Sequence, residues 1–147
     1  MLPGLRATVL ALGLAAIAAS AALAQDDARI AVIVHPERRD ALSADELAQV
    51  YLRRKRLWSD GEVIVPLNLP SGTELRARFS QRVLRQTETR LADYWNRRYF
   101  DGLMPPATLA STAAVRRYVA ADRRAIGYVP ASEADASVRV ILVLEPD

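Results

Sequence analysis

The spacing of apolar residues alternates along the chain between strand-like runs and helical intervals of three and four residues. The run RIAVIVH, residues 29–35, is short, β-branched and followed by a proline, which predicts a buried strand. Helical spacing follows over residues 42–52, and a second strand is predicted over residues 62–69, broken or edge-like at Pro66. Strands that alternate with helices predict an α/β fold: a single layered domain with a mostly parallel sheet flanked by helices.

Polar residues before helical patterns predict where the helices begin. Ser43 and Glu46 have the spacing of a capping box. Further helices are expected to begin at Ser71, at Thr87 and at Ser111 or Thr112. Residues 101–110, with a glycine and two prolines, are expected to form a loop. The segments AIGYV and VRVILVL predict two more strands around a short polar helix near residues 132–136.

The first 24 residues have the order of a secretory signal peptide. Arg6 precedes an apolar run over residues 7–19, and Ala22-Leu23-Ala24 places small residues at the positions that a signal peptidase reads. Cleavage is expected after Ala24, which leaves residues 25–147 as one domain in the periplasm. The alternative is a retained membrane anchor, although an apolar run of at most about 18 residues is at the lower limit for spanning a bilayer.

Composition restricts the classes of function. The chain of 147 residues has no cysteine, so an exported form is stabilised by core burial and not by disulfides, which fits a bacterial periplasm. A formal net charge of +3 is too small to indicate nucleic-acid binding. His35 is the only histidine and there is no cysteine, so a transition-metal site would have to be built almost entirely from carboxylates and is not expected. No cofactor is expected. No nucleophile elbow or triad signature points to an enzyme.

The segment PLNLPSGTELRARF, residues 66–79, carries a candidate anion-binding turn. The first turn of a helix has unpaired N–H groups and a partial positive charge, so a loop that enters it can surround an anion. Ser71 and Thr73 would supply hydroxyl donors, and Gly72 would let the backbone approach the ligand. Arg76, one turn along, would add a charge-assisted hydrogen bond. The alternative is that Ser71 is an ordinary helix N-cap.

Three segments, in matching order and spacing, resemble the periplasmic phosphate-binding proteins of ABC transporters, members of the type II solute-binding superfamily. LSADELAQVYLRRKRLWSDG resembles the family's helix and its G-K-I-x-x-W-x-D continuation. IVPLNLPSGTELRARF resembles the strand, the Ser-Gly-Thr phosphate turn and the helix that follows. AVRRYVAADRRAIGYVPAS resembles the region whose Ala-Ile-Gly-Tyr-Val strand leads back to the first lobe. The resemblance covers about Val32 to Val129.

The resemblance implies a shortened form of this family, with the fold of about one lobe. It implies that Ser71, Gly72 and Thr73 bind inorganic phosphate or a similar oxyanion, and that an ABC permease or another membrane protein is the partner. Such a protein would be linked to ABC-type phosphate uptake.

The resemblance is incomplete at two positions before the turn. Four residues before Ser71 the family has an arginine that binds phosphate, and this chain has Leu67 at that position. Two residues before Ser71 the family often has an aspartate, and this chain has Leu69. Each lost charge-assisted hydrogen bond removes roughly 1.5–3 kcal/mol of binding free energy. Arg76 or Arg78, reaching back from the helix, is a candidate replacement.

A second hypothesis is that the protein retains the fold but no longer binds the ligand. It would then be an interaction module that docks on a membrane or periplasmic partner through arginine-rich surfaces. The segment YLRRKRLW, residues 51–58, is either a solvated helix end or part of such a surface. The segment DYWNRRYF, residues 93–100, is either an aromatic core with stacked arginines or a sugar-stacking or interface site. A homodimer that completes a cleft from two copies is also compatible with the sequence.

Overall fold

The structure is a computed structural model that describes residues 5–146, with side chains from residue 15 onward. The first four residues of the expected signal peptide lie outside the described residues. The helices are α1 Leu5–Ala28, α2 Ala44–Tyr51, α3 Glu74–Phe79, α4 Glu88–Tyr99 and α5 Thr112–Ala121. The strands are β1 Ile30–Val34, β2 Val65–Asn68, β3 Ala107–Thr108, β4 Ala125–Pro130 and β5 Arg139–Leu144. A π-helical segment, Ser80–Leu84, continues α3, and a 3-10 turn, Ala131–Glu133, follows β4.

The strands form one sheet in the order β3-β2-β4-β1-β5. Strand β2 pairs in parallel with β3 and β4, whereas β1 pairs antiparallel with β4 and β5. Four of the five strands therefore run in one direction and only β1 runs against them. The expected fold class, an α/β domain with a mostly parallel sheet flanked by helices, is confirmed.

Strand β1 is the buried strand that its sequence predicts. All five of its residues are buried, because β1 lies between β4 and β5 in the sheet. A strand with neighbours on both edges and helices on its faces needs apolar side chains in both directions, and this is why its β-branched run does not alternate with polar residues.

Helices cover both faces of the sheet. On one face α5 packs against β4, where Val115 and Val119 lie over Gly127. Successive strand residues point to opposite faces, so Tyr128 faces the other way. There it stacks on Phe79 of α3, with ring centroids 3.8 Å apart, and meets the ring of Tyr51 of α2 edge-on at 6.0 Å.

Three of the predicted helix starts are confirmed, and the one at Ser71 is wrong. Ser43 and Glu46 form a complete capping box at α2, and Thr87 and Ser111 accept hydrogen bonds at the starts of α4 and α5. Helix α3 has Thr73, not Ser71, at its N-cap. The cause is Gly72, whose φ of +84° keeps Ser71 in a turn outside the helix.

Three further elements differ from their predicted extents. The strand predicted over 62–69 begins only at Val65. Before it, Val63 pairs with Leu57 in an isolated antiparallel β-bridge, so residues 57–63 form a tight turn instead of the start of the strand. The loop predicted over 101–110 contains β3, whose two residues pair with β2 and are too few to give a sequence pattern. The predicted polar helix near 132–136 is the 3-10 turn Ala131–Glu133.

Helix α1 projects from the domain. Its side chains from residue 15 to 25 are exposed, including Ile17 at 72% and Leu23 at 63%. Contact with the body begins at its last turn, where Asp27 accepts a hydrogen bond from the Ser132 hydroxyl. In the part of the chain that the structure describes, no helix combines the length and the apolar character needed to cross a membrane. Cleavage after Ala24, within α1, stays a prediction.

Candidate functional site

The Ser71–Thr73 turn lies beyond the carboxyl end of β2. This is the edge of an open α/β sheet where ligands bind, because loops and helix N-termini converge there. Asn68, the last residue of β2, holds the edge together: its side-chain oxygen accepts hydrogen bonds from the Leu69 N–H at 3.0 Å and from the Tyr128 hydroxyl. The start of the turn is thereby tied to the neighbouring strand β4.

The turn leaves the start of α3 without a side-chain cap. The Thr73 hydroxyl donates to the Pro70 carbonyl at 2.8 Å and makes no capping bond, unlike the side chains at the starts of α2, α4 and α5. Ser71 is exposed, and its hydroxyl has no hydrogen-bond partner among residues 5–146. The polar groups at this end of α3 are therefore not satisfied by the turn itself.

A carboxylate from another helix binds at this turn. The Gly72 N–H lies 3.1 Å from Oε2 and 3.3 Å from Oε1 of Glu88. The Arg76 Nε lies 3.7 Å from the same carboxylate, and Arg76 Nη1 donates to the Leu69 carbonyl at 2.8 Å. A backbone N–H, a guanidinium and the helix N-terminus thus converge on one negatively charged group.

The chain reversal after α3 brings Glu88 to the turn. Arg85, at the end of the π-helical segment, has φ of 53° in the left-handed region, which turns the chain back. Thr87 then caps α4 by accepting a hydrogen bond from the Arg90 N–H, which places Glu88 at the first position of that helix. The Glu88 carboxylate therefore lies near the N-terminal ends of both α3 and α4.

The wall behind the turn is apolar and uncharged. Leu67 and Leu69, at the positions where the resembled family carries an arginine and often an aspartate, are 1% and 3% exposed and belong to the core. Burial raises the pKa of the Tyr128 hydroxyl above its ordinary value, so this group is a neutral donor at physiological pH. Arg76 is therefore the cation that the structure brings to this turn.

Of the residues predicted for the site, Gly72, Thr73 and Arg76 are brought together, and Ser71 lies beside them with a free hydroxyl. Arg78, the other candidate replacement for the missing arginine, is turned away: its Nη1 donates to the carbonyl of Ala28 at 3.0 Å. Glu88 was not among the residues predicted for the site. An acidic residue at the start of a helix is common and carries no sign of a contact 16 residues back along the chain.

The two segments rich in arginine and aromatic residues have mixed environments. In residues 51–58, Tyr51 and Trp58 are buried, whereas Arg54, Arg56 and Leu57 are exposed. The interpretation of residues 93–100 as aromatic core is wrong at their end. Tyr99 and Phe100 are 63% and 88% exposed.

Tyr94, in the same segment, is held in place by polar contacts. Its hydroxyl donates to the Leu52 carbonyl at 2.9 Å, and the Arg98 guanidinium lies 5.4 Å from the ring centroid. Within residues 5–146 no three acidic or histidine side chains are grouped closely enough to hold a metal ion.

The fold matches about one lobe of the periplasmic phosphate-binding proteins of ABC transporters. A phosphate ABC transporter substrate-binding protein with bound phosphate from Clostridium perfringens is 20% identical, with a TM-score of 0.63 over 76% of this chain and 43% of that one. An ABC-type phosphate transport receptor from Vibrio cholerae is 16% identical, with a TM-score of 0.62 over 76% of this chain and 44% of that one.

A third structure, PstS from Borrelia burgdorferi, is 14% identical, with a TM-score of 0.53 over 68% of this chain and 39% of that one. The chain therefore spans about two fifths of the length of the structures it resembles, and the likeness establishes the fold. No protein-family model matches the sequence, and no curated protein matches it either.

Proposed function

We propose that this is an exported protein of the solute-binding type that captures or senses an oxyanion at the Ser71–Thr73 turn. Phosphate is the first candidate for this oxyanion. Its place would be the periplasm, and its partner an ABC permease for phosphate or another membrane protein. The Clostridium protein of the same fold is described with phosphate bound, and the Vibrio protein as a phosphate transport receptor.

One observation carries the proposal: the turn already holds an oxyanion group. The carboxylate of Glu88 lies within 3.1 Å of the Gly72 nitrogen and 3.7 Å of Arg76 Nε. A phosphate or sulfate offers the same kind of acceptor oxygen as a carboxylate. The free hydroxyl of Ser71 would add a donor for a second oxygen of the ligand.

The test is titration of the purified protein with phosphate, sulfate and molybdate by calorimetry. Arg76→Ala should weaken phosphate binding by about tenfold or more, since it removes a charge-assisted interaction. Arg78→Ala is the matched control, because Arg78 lies on the same helix and contacts Ala28 instead of the turn. No heat and no thermal shift with any of the three anions would exclude this function. Unchanged affinity in Arg76→Ala would exclude Arg76 from the site.

A second candidate function is favoured by the surface around residues 53–56. Three arginines and a lysine there line a shallow depression of about 550 Å³ together with Leu57 and Val63, which are 52% and 51% exposed. Basic side chains next to exposed apolar ones suit docking on a membrane partner without any anion.

The docking function predicts salt-sensitive binding to phosphatidylglycerol vesicles that is lost in the double variant Arg54→Glu, Arg56→Glu. Vesicles of neutral lipid serve as the control. If the protein binds neither kind of vesicle, the lipid surface is excluded as the docking partner. A membrane protein would then be the partner of the docking function. Sedimentation over a range of concentrations, with and without phosphate, tests whether two copies associate.

A further inference from the structure

Glu88 occupies the side of the turn where an external oxyanion would bind. The Gly72 N–H has a single hydrogen, which is already shared between the two oxygens of the Glu88 carboxylate at 3.1 and 3.3 Å. A second anion at this N–H would also lie beside a carboxylate, and two negative charges at contact distance repel each other. The turn therefore accommodates Glu88 or an external anion, but not both.

We infer that Glu88 is an internal competitor that sets the affinity of this site: phosphate binds at the turn only when the Glu88 carboxylate leaves Gly72 and Arg76. This inference rests on the proposed function of the turn. It assigns to a residue of α4 a role in a site that the sequence places on the loop before α3.

The surroundings of Glu88 allow it to leave without dismantling the turn. Its side chain is 32% exposed, so the carboxylate has solvent to move into. Arg76 is held independently of it, through the hydrogen bond from Nη1 to the Leu69 carbonyl. Thr73 is likewise tied to Pro70 and not to Glu88. The donors would therefore stay in position when the carboxylate moves away.

The charge balance of the turn points the same way. Arg76 is the cation at this turn, since Leu67 and Leu69 are buried leucines and Arg78 points to Ala28. With Glu88 in place, the Arg76 guanidinium already has a carboxylate 3.7 Å from its Nε. Removing the charge of Glu88 leaves the guanidinium for the ligand, which should raise the affinity for any oxyanion.

The experiment compares phosphate affinity in the full chain and in Glu88→Gln, Glu88→Ala and Glu74→Gln by calorimetry at constant ionic strength. Glu74→Gln is the matched control: Glu74 is the first residue of α3, its side chain is 87% exposed, and it pairs only loosely with Arg78 at 3.8 Å. Both Glu88 variants should bind phosphate about tenfold more tightly or better, the size of one charge-assisted hydrogen bond. The Glu74 variant should bind like the parent protein.

A second measurement uses the unaltered protein, so it does not depend on the folding of a variant. Phosphate titration should shift the Gly72 amide resonance and the Glu88 carboxyl carbon resonance in parallel, with one midpoint. A purely structural link between α3 and α4 would change the thermal midpoint of the Glu88 variants but leave their phosphate affinity unaltered.

The outcomes separate this inference from the proposed function. Equal or weaker affinity in the Glu88 variants, or a Glu88 carboxyl resonance that does not respond while Gly72 saturates, overturns the inference and leaves phosphate binding standing. Binding by the Glu88 variants alone supports the inference and shows that the unaltered protein does not capture phosphate by itself. No binding by any form overturns both.

Discussion

Arg38 is a buried charge that ties three parts of the chain together. It is 2% exposed, and its guanidinium donates to Asp60 at 2.8 Å, to Glu62 at 2.5 Å and to the Arg123 carbonyl at 2.9 Å. The same guanidinium lies 4.7 Å from the ring centroid of Trp58. This cluster joins the segment after β1, the turn before β2 and the loop before β4, so it holds the connections of the three adjacent strands β2, β4 and β1.

Replacing Arg38 should destabilise the domain. Arg38→Met would leave the carboxylates without their cation and the Arg123 carbonyl without its donor, at a cost of roughly 2–4 kcal/mol in unfolding free energy, allowing for partly exposed carboxylates. Arg39→Met is the control, because Arg39 is exposed and its Nη1 donates to the nearby Pro36 carbonyl, and it should change stability by less than about 0.5 kcal/mol. Urea denaturation measures both, and equal midpoints would contradict this role.

The same cluster should make stability depend on pH. Burial raises the pKa of Asp40, but hydrogen bonds from Ser59 and Arg38 outweigh burial and hold it below its ordinary value. A carboxyl group with a lowered folded-state pKa stabilises the protein above its ordinary pKa of about 3.9, and this stabilisation is lost as the pH falls through the folded value. The difference between Arg38→Met and the parent protein should therefore shrink in acid.

At the level of elements, the contact between α5 and β4 depends on a glycine. A Cβ on Gly127 would lie 2.4 Å from Cγ1 of Val115, a distance that no packed core tolerates. Glycine ordinarily weakens the interior of a strand, so its presence in β4 reflects the close approach of the helix. The conformation of Gly127 itself is not the reason, since its φ is not in the left-handed region.

Gly127→Ala should therefore destabilise the protein by roughly 1–3 kcal/mol in spite of the better strand propensity of alanine. Val115→Ala in the same chain should recover part of this loss, because it removes the methyl group that clashes. A double-mutant cycle by urea denaturation measures the coupling. Additive effects of the two changes would show that the helix moves away freely and that the contact does not determine the position of α5.

At the level of the whole molecule, the part of α1 whose side chains the structure describes, from residue 15 onward, contacts the domain at its last turn. Its exposed apolar side chains, among them Ile17 and Leu23, are not packed against the core. A segment of this kind can be removed at Ala24 without opening the sheet, since β1 begins at Ile30. This geometry is compatible with a signal peptide.

Expression in a bacterial host should yield a periplasmic protein whose first residue is Gln25. Intact mass and N-terminal sequencing of the periplasmic fraction measure this. Ala24→Arg should block processing, because the cleavage site requires a small residue, whereas Ala21→Ser, outside the small-residue pair, should not. Full-length protein that remains in the membrane fraction in the parent form would favour the retained anchor.

The sequence by itself determined the class of fold and most of the elements. The β-branched run of β1, the capping box at Ser43 and the helix starts at Thr87 and Ser111 are local patterns, and local physics is sufficient to recognise them. The turn at Ser71–Thr73 was also visible, because the glycine and hydroxyl residues before a helix follow directly from the conformation and donors that such a turn needs.

Only the tertiary structure decided what the turn contacts. The N-cap at Thr73, the two-residue strand β3 and the burial of Arg38 depend on partners distant in sequence. The meeting of Glu88 with Gly72 depends on the reversal at Arg85, which returns α4 to the start of α3. Periodicity and capping report a residue's neighbours along the chain, whereas an ion pair across a fold is set by how whole elements pack. The sequence therefore located the candidate turn, and the packing of α4 placed the Glu88 carboxylate against it.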